Sequence, residues 1–583
     1  MDNLHSIGES KPLFKKNNKF FKWNQKLFKW PFNVILYGIM LLGAVYIIFY
    51  IFTDDDIQSK FSDTPKVLLQ KKNPLHITSI ATTTTNDDFL KKCAPIVQCD
   101  INAKYRSING SCNNLKINTW GAAKTPFSRL LDANFSDDYY ELRVQKNGIA
   151  LPYPRVLDVN IFLYREIYRV DENNVLLLPF GQLLAHDISG MPNDIIIDEN
   201  GDAIDCCLTD INIKNYTQCQ IVLFNLPDDP VYGVYNKSCT PIFRSLTSRN
   251  YSCPLYPTEC INENSHFIDA SEVYGSDDNY ALHLRAMEGG KLKYSISDNG
   301  QVFCPFLTNQ NKASIRNKND HHIKYDTGDP NNGNQNLGIT AIQTLFLRFH
   351  NYIAFKLSSL NPFWSDEIIY QESRRIVVAT IQRIAYEDFL PIIIGNDFQE
   401  MYGLNEANIY DPTINPSTSL EFSSAASRVL HAIIPVEFNF MNKNYEIENS
   451  VKITDWMTKS DLIPLGDNFD KLLKGFIETP GRMVQPSYNF YISNYMVPLP
   501  NHPQYNGRDL LAIDIARGRD VGLQPYNKVR NFCGYPLAKH FEDLADLIHI
   551  KDIIKLKNNY YSVDDIDLMV GILLEKHSDG AIV

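Results

Sequence analysis

Residues 180–190 read FGQLLAHDISG. The stretch extends the apolar run VLLLPF and predicts the opening of a buried helix. Gln182 and His186 are four apart and share a helical face, while Asp187 is turned about 100° round the axis. One helix could therefore offer an imidazole to one site and a carboxylate to another. A lone pair of this kind is more often a packed histidine beside a surface carboxylate. The rest of the chain has to decide between the two.

The chain has 583 residues, enough for a large core or several domains. It is 44% hydrophobic and 21% charged, as an ordinary globular protein is. A net charge of −11 argues against a nucleic-acid surface.

Residues 32–52, FNVILYGIMLLGAVYIIFYIF, carry no charge, and a bilayer-spanning helix needs about 20 such residues. Lys11, Lys15, Lys16, Lys19, Lys22, Lys26 and Lys29 precede the run, and Asp54, Asp55 and Asp56 follow it. Basic flanks stay cytosolic. The pattern predicts a type II membrane protein: a basic cytosolic tail (1–31), a transmembrane anchor (32–52), a polar stalk (53–89) and an extracellular or luminal domain (90–583). A cleaved signal peptide is the alternative, but the run is long for one and no small-x-small site follows.

All 11 cysteines lie after the run, as do five Asn-x-Ser/Thr sequons at Asn109, Asn134, Asn215, Asn236 and Asn250. Both features suit an oxidising compartment and a glycoprotein. The cysteine spacings are irregular and do not resemble zinc fingers. Helical periodicity is clear over 337–360 and 366–394, and strand-like alternation is scarce, so the fold class is mainly α.

Three further stretches carry candidate chemistry. In SHFIDASEVYGSDD (265–278), Ser265, Phe267, Asp269 and Ser271 are spaced by two. An extended loop points alternate groups the same way. Hydroxyls, a carboxylate and a backbone carbonyl are the hard oxygen donors that Ca²⁺ takes. The spacing is not that of an EF-hand, and a plain Asx turn is the simpler alternative. In EFSSAASRVLH (421–431), Arg428 and His431 are three apart on a predicted helix, where a packed histidine is again the ordinary outcome. In LLAIDIARGRDVGLQPYNKVRNFCGYP (510–536), Asp514 precedes Arg517, Arg519 and Asp520, which reads most simply as a structural salt-bridge knot.

Taken together, and with CDINAKYRSINGSCN, NTWGAAKTPFSRLL, ALPYPRVLDVN, RFHN, YQESRRIV and DIDLMVGILLE in the same order, these segments resemble the animal haem peroxidase family. The resemblance covers nearly all of the chain after the stalk. It implies a mainly α-helical fold with haem between a distal and a proximal helix, and hydrogen peroxide with a small reducing donor as substrates.

Carried over residue by residue, His186 matches the distal base, with Gln182 beside it. Asp187 matches a Ca²⁺ ligand, together with Ser265, the Phe267 carbonyl, Asp269 and Ser271; Ser265 replaces the family's threonine. His431 matches the proximal iron ligand. Arg428 and Arg517 match arginines that pair with haem propionates.

The departures cluster at the haem. Asn332 stands where the family has its catalytic arginine, a donor of a type worth roughly 10²–10³ in rate. Gln335 and Ala185 replace the carboxylates that esterify the haem, so haem b held non-covalently is expected. Asp514 replaces the asparagine that accepts a hydrogen bond from the proximal histidine, which should make His431 more electron-donating. The family continues with further helices past the last residue here, and Cys533 matches a cysteine whose partner lies in that continuation, so an incomplete C-terminus is expected.

The expectation is a membrane-anchored haem peroxidase acting in oxidative stress or in extracellular oxidation and cross-linking. The alternative is a weakened pseudoperoxidase serving as an adhesion or assembly ectodomain.

Overall fold

Four helices set the frame: α1 (Leu177–Ile188), α2 (Leu337–Leu360), α3 (Asp366–Arg383) and α4 (Leu510–Asp520). Each of the last three begins where a polar side chain accepts hydrogen bonds from the first-turn amides. Asn336 accepts from Gly338 and Ile339, Ser365 from Ile368, and Asp509 from Ala512. Such caps are worth about 1 kcal/mol each.

The helix expected over 366–394 forms as three consecutive pieces. Past Arg383 the turn widens to a π-helix over Ile384–Phe389, then returns to α over Leu390–Ile394. Pro391, which has no N–H to donate, sits in the first turn of that last piece, where its missing bond matters least.

The computed structural model describes residues 97–582 apart from 164–169, 197–203, 205, 208–216, 225–227, 236–237, 252–256, 308–321, 406–409, 497–506 and 578–580. The described residues belong to one unit, 77–583. The tail, anchor and stalk expected over 1–89 lie outside them. Among the described residues no helix is long and apolar enough to cross a membrane.

Strands are few, and every sheet among the described residues has two. The largest are antiparallel hairpins: β1 (Cys219–Leu223) with β2 (Cys239–Phe243), and β3 (Glu437–Met441) with β4 (Ile447–Lys452). Disulfides Cys206–Cys219 and Cys207–Cys239 fasten the first hairpin to the chain before it, and Cys99–Cys112 closes a loop near the start of the unit. Among the described cysteines Cys260 and Cys304 are buried free thiols, and Cys533 is an exposed one.

The apolar side chains gather into two large clusters. One joins Phe127, Leu157, Val429, Ile433, Leu511 and the C-terminal helices. The other joins Phe180, Leu183, Ile339, Phe346, Val377 and Phe438. Leu178 and Ile434 touch both, so a seam runs between the two cores along α1 and the segment Ala426–Ile433.

Buried arginines tie these layers together. Arg519 on α4 grips both oxygens of Asp567, at 3.0 and 2.6 Å, and Arg143 adds a bond of 2.7 Å to the same carboxylate. Burial would raise the Asp567 carboxyl, but Arg519 and Arg143 outweigh it and hold it below the usual carboxylate range. A lowered folded-state value contributes stability that is present above the unfolded value and is lost as pH falls through the folded one. Urea unfolding between pH 3 and 7 should therefore show the parent weakening below about pH 4. Asp567→Asn should cost about 3–5 kcal/mol at neutral pH by leaving two buried guanidinium groups short of a partner, and should flatten part of that acid slope. Equal slopes in the two proteins would remove Asp567 from the account.

Candidate active site

On α1 the burial pattern separates two faces. Phe180, Gly181, Leu183 and Leu184 pack inward, while Gln182, Ala185 and His186 are half-buried along one stripe. Asp187, one step round, is fully buried. Pro179 falls in the first turn, where a missing N–H costs nothing.

The other end of α1 is held by side chains. Asn264 Nδ2 donates to the His186 carbonyl, and Asn262 Nδ2 and Thr418 Oγ1 donate to that of Ile188. Gly190 follows, and a Cβ there would lie 2.9 Å from the Asn264 side chain. The glycine thus lets the loop of 262–271 close onto the helix end.

That closure brings Asp187, Ser265, Phe267, Asp269 and Ser271 together. Asp187 Oδ1 accepts from Ser271 Oγ at 2.7 Å, and Asp187 Oδ2 from the Ala270 amide at 3.1 Å. Ser265 Oγ donates to Asp269 Oδ2 at 2.6 Å and lies 3.5 Å from the Phe267 carbonyl. Asp269 Oδ1 is buried with no hydrogen-bond partner among the described residues. Burial pushes the Asp187 carboxyl up to about 6, and burial with the Asp187 charge pushes Asp269 up to about 8. Two buried carboxylates, one oxygen orphaned, with hydroxyls and a carbonyl around them, form a donor set that suits a hard divalent cation. Ala270, between Asp269 and Ser271, has φ 62°, a strained value for a residue with a Cβ.

His186 faces the other way. Its Nδ1 lies 3.6 Å from Asp329 Oδ2 and 4.0 Å from Glu272 Oε1, too far for hydrogen bonds. Burial lowers the His186 pKa; Asp329 opposes this, and His431 and Arg428 reinforce it. The ring is therefore neutral at pH 7, the state in which an imidazole can accept a proton. Burial and the neighbouring Asp329 charge raise the Glu272 carboxyl well above the usual range.

Asn332 donates from Nδ2 to Asp329 Oδ2 at 3.1 Å. Gln182 bonds to Gln335 at 2.5 Å and to Asn336 at 3.0 Å, joining α1 to the start of α2.

Across the seam, Ser419 caps the short helix Leu420–Ser424, and the chain continues as the 3₁₀ helix Ala426–Ile433. In a 3₁₀ helix residues three apart lie directly above one another. Arg428 and His431 therefore reach the same carboxylate. Arg428 Nη1 donates to Asp514 Oδ1 and His431 Nδ1 bonds Asp514 Oδ2, both at 2.7 Å. Tyr488 donates a third bond to Asp514 at 2.8 Å. Burial would raise this carboxyl, but His431 and Arg428 hold it below the usual range. With Nδ1 fixed on a buried anion and the side chain 30% exposed, the other ring nitrogen of His431 is left for a ligand in the seam.

Arg517 sits apart from this group. Its guanidinium donates to Asp520, Ser245 and Asn193 at 2.6–2.7 Å. Together with Arg519 it lies in buried salt-bridge knots.

The structure thus gathers His186, Gln182 and Asn332 on one side of the seam, His431, Arg428 and Asp514 on the other, and the five oxygen donors behind α1. Glu272 and Asp329 are site residues that sequence reasoning did not single out. Their signal was a charged residue inside the apolar turn SEVY and an aspartate at the head of GDPNNGNQ.

Residues 105–583 match the family described as animal haem peroxidase. The chain is 32% identical over 506 residues to a chorion peroxidase of Aedes aegypti, covering 85% of this chain and 62% of that one. It is 30% identical to a peroxidase of Drosophila melanogaster (84% and 71% covered) and 31% identical to lactoperoxidase of Mesocricetus auratus (83% and 69%). It spans less than two thirds of the length of the chorion peroxidases it matches. Among solved structures, Peroxidase A from Dictyostelium discoideum shares the fold with a TM-score of 0.67 at 23% identity, over 83% of this chain and 88% of that one. A fatty acid alpha-dioxygenase of Arabidopsis thaliana does so at 0.61 and 18%, over 83% and 73%.

Proposed function

The chain belongs to the animal haem peroxidase family, and from that premise we propose that it is a haem peroxidase oxidising small donors with hydrogen peroxide. The observation that carries the reading is the pair of half-buried histidines on either side of one seam, one neutral and one anchored to a buried carboxylate. Haem would be held by His431, and its iron would supply the redox chemistry.

The chain's own residues supply the rest. His186, neutral at pH 7, would take a proton from one peroxide oxygen and return it to the other. Asp514 would hold the His431 ring in place and make it more electron-donating. Arg428, 22% exposed on its side chain, has donors to offer a propionate; Arg517 would have to release Asn193 to do so. Ala185 and Gln335 offer no carboxylate for an ester link, so the haem would be bound non-covalently. Ca²⁺ would sit among Asp187, Ser265, Phe267, Asp269 and Ser271, fixing the end of the helix that carries His186.

The uncharged run 32–52 would anchor the chain, with the peroxidase unit outside the cytosol. The three disulfides support an oxidising compartment. Oxidative stress or extracellular cross-linking is the setting this topology suits.

The test is reconstitution of the full chain with haem. A Soret band and guaiacol oxidation with peroxide are expected, and His431→Ala should lose the band. Absence of a band in the parent would end the enzyme reading. One observation favours the second reading, a weakened pseudoperoxidase used for adhesion or assembly. Asn332 is tied to Asp329, and His186 faces two carboxylates rather than a cation. A parent that binds haem but turns over no faster than free haem would favour it.

A further inference from the structure

The proposed base belongs to a cluster whose other two members the peroxidase reading does not use. His186, Glu272 and Asp329 each offer one ligand atom, all within 4.8 Å of one another. Glu272 and Asp329 are 1% and 7% exposed. His186 Nδ1 is buried without a hydrogen-bond partner among the described residues, while Glu272 and Asp329 face each other and share a side-chain hydrogen bond. A buried imidazole nitrogen with no partner, 3.6 and 4.0 Å from two carboxyl groups, is costly unless something lies between them.

The rest of each carboxylate is fixed from outside. Gln343 Nε2 donates to Glu272 Oε2 at 2.6 Å, which leaves Oε1 turned to the imidazole. The amides of Asn331 and Asn332 donate to Asp329 Oδ1 at 2.9 Å, which leaves Oδ2 turned the same way, with Asn332 Nδ2 beside it. Outer bonds that orient ligands in this manner are a hallmark of metal centres.

We propose that His186, Glu272 and Asp329 form a binding site for a borderline divalent cation, Zn²⁺ being the representative. The imidazole nitrogen sets it apart from the neighbouring all-oxygen cluster, which suits Ca²⁺. In a tetrahedral Zn²⁺ site the bond lengths place ligand atoms about 3.3 Å apart. The observed 3.6 and 4.0 Å, with the third separation within 4.8 Å, have to contract to that spacing on binding. Two carboxylates balance the cation's charge, and a fourth position stays open to water.

On binding, Glu272 gives its proton to solvent and His186 enters as the tautomer protonated on Nε2. The lone pair on Nδ1 goes to the metal. Nε2 can then donate a hydrogen bond but cannot accept a proton. Occupancy therefore switches the base off, a consequence that rests on the proposed role of His186; the binding itself does not need that role or haem. The two cation sites also adjoin, since His186 and Asp187 are consecutive, as are Ser271 and Glu272.

The experiment is equilibrium dialysis of the haem-free full chain against Zn²⁺, with Ca²⁺ saturating throughout. One tightly held Zn²⁺ is expected that Glu272→Gln and Asp329→Asn each weaken by at least about tenfold. Pairs with an exposed histidine, such as His283 with Asp326 and His322 with Asp461, can also take Zn²⁺, and the variants separate these from the proposed site. Should either variant fold poorly, Co²⁺ added to the parent decides the matter through the strong visible band of a tetrahedral centre. Equal Zn²⁺ binding in parent and variants, or no Co²⁺ band, would overturn the proposal and leave a shared proton as the sole occupant. Haem reconstitution, run separately, tells this failure from failure of the peroxidase reading.

Discussion

Arg155→Met will leave the chain without a cooperative unfolding transition, or with its urea midpoint far below that of the parent. Arg155 is wholly buried. Its Nε donates to Asp229 at 2.8 Å, and Nη1 to Asp509 at 2.8 Å, to the Ser493 carbonyl at 2.9 Å and to Asp158 at 3.3 Å. Nη2 donates to Asn494 at 2.7 Å, and the guanidinium lies 4.7 Å from the centre of the Tyr232 ring.

One side chain thus ties its own turn to three distant stretches of sequence, including the cap of α4. Methionine fills much of the volume but leaves three buried aspartates with no cation. Removing one partner from a buried pair costs about 3–5 kcal/mol, and a domain has about 5–15 kcal/mol in all. Arg155→Lys keeps the charge, loses the fork and should fall between the two. A methionine variant that unfolds where the parent does would refute this account.

His186→Ala will lower kcat/KM for peroxide by about 10²–10⁴, the usual worth of a positioned base. It should leave the Soret band in place, because the proposed iron ligand is His431 on the other wall of the seam. Stopped-flow measurement of the peroxide step separates the two roles. A variant with parental rate would show that peroxide is deprotonated elsewhere, and loss of the band would place His186 in haem binding.

Much of this arrangement was legible in the sequence where local rules decide it. The periodicity of 337–360 matches α2 at both ends, because an apolar stripe and an Asn cap agree there. The widening at Ile384–Phe389 left no mark on periodicity, since π and α turns differ by a fraction of a residue per turn. Histidines show the limit more sharply. His266 and His350 are buried and hydrogen-bonded to their surroundings, and burial pushes their pKa values down to about 3 and about 4. They are packed histidines, the common outcome. His186 and His431 differ from them only in the seam they face, which is made by residues more than 200 positions apart. Glu272 and Asp329 were missed for the same reason: their burial and direction come from α2 packing over the loop. The disulfide pairs could not be read from irregular spacings either.

The seam has a consequence for assembly. Its two walls belong to different cores, and each core draws on distant parts of the chain. Neither wall can present its histidine correctly until its own core has condensed, and long-range contacts form late and slowly. The seam is therefore among the last places to form during folding. A nascent chain has no half-built seam to leave exposed, and any ligand for it arrives at a protein that is otherwise complete.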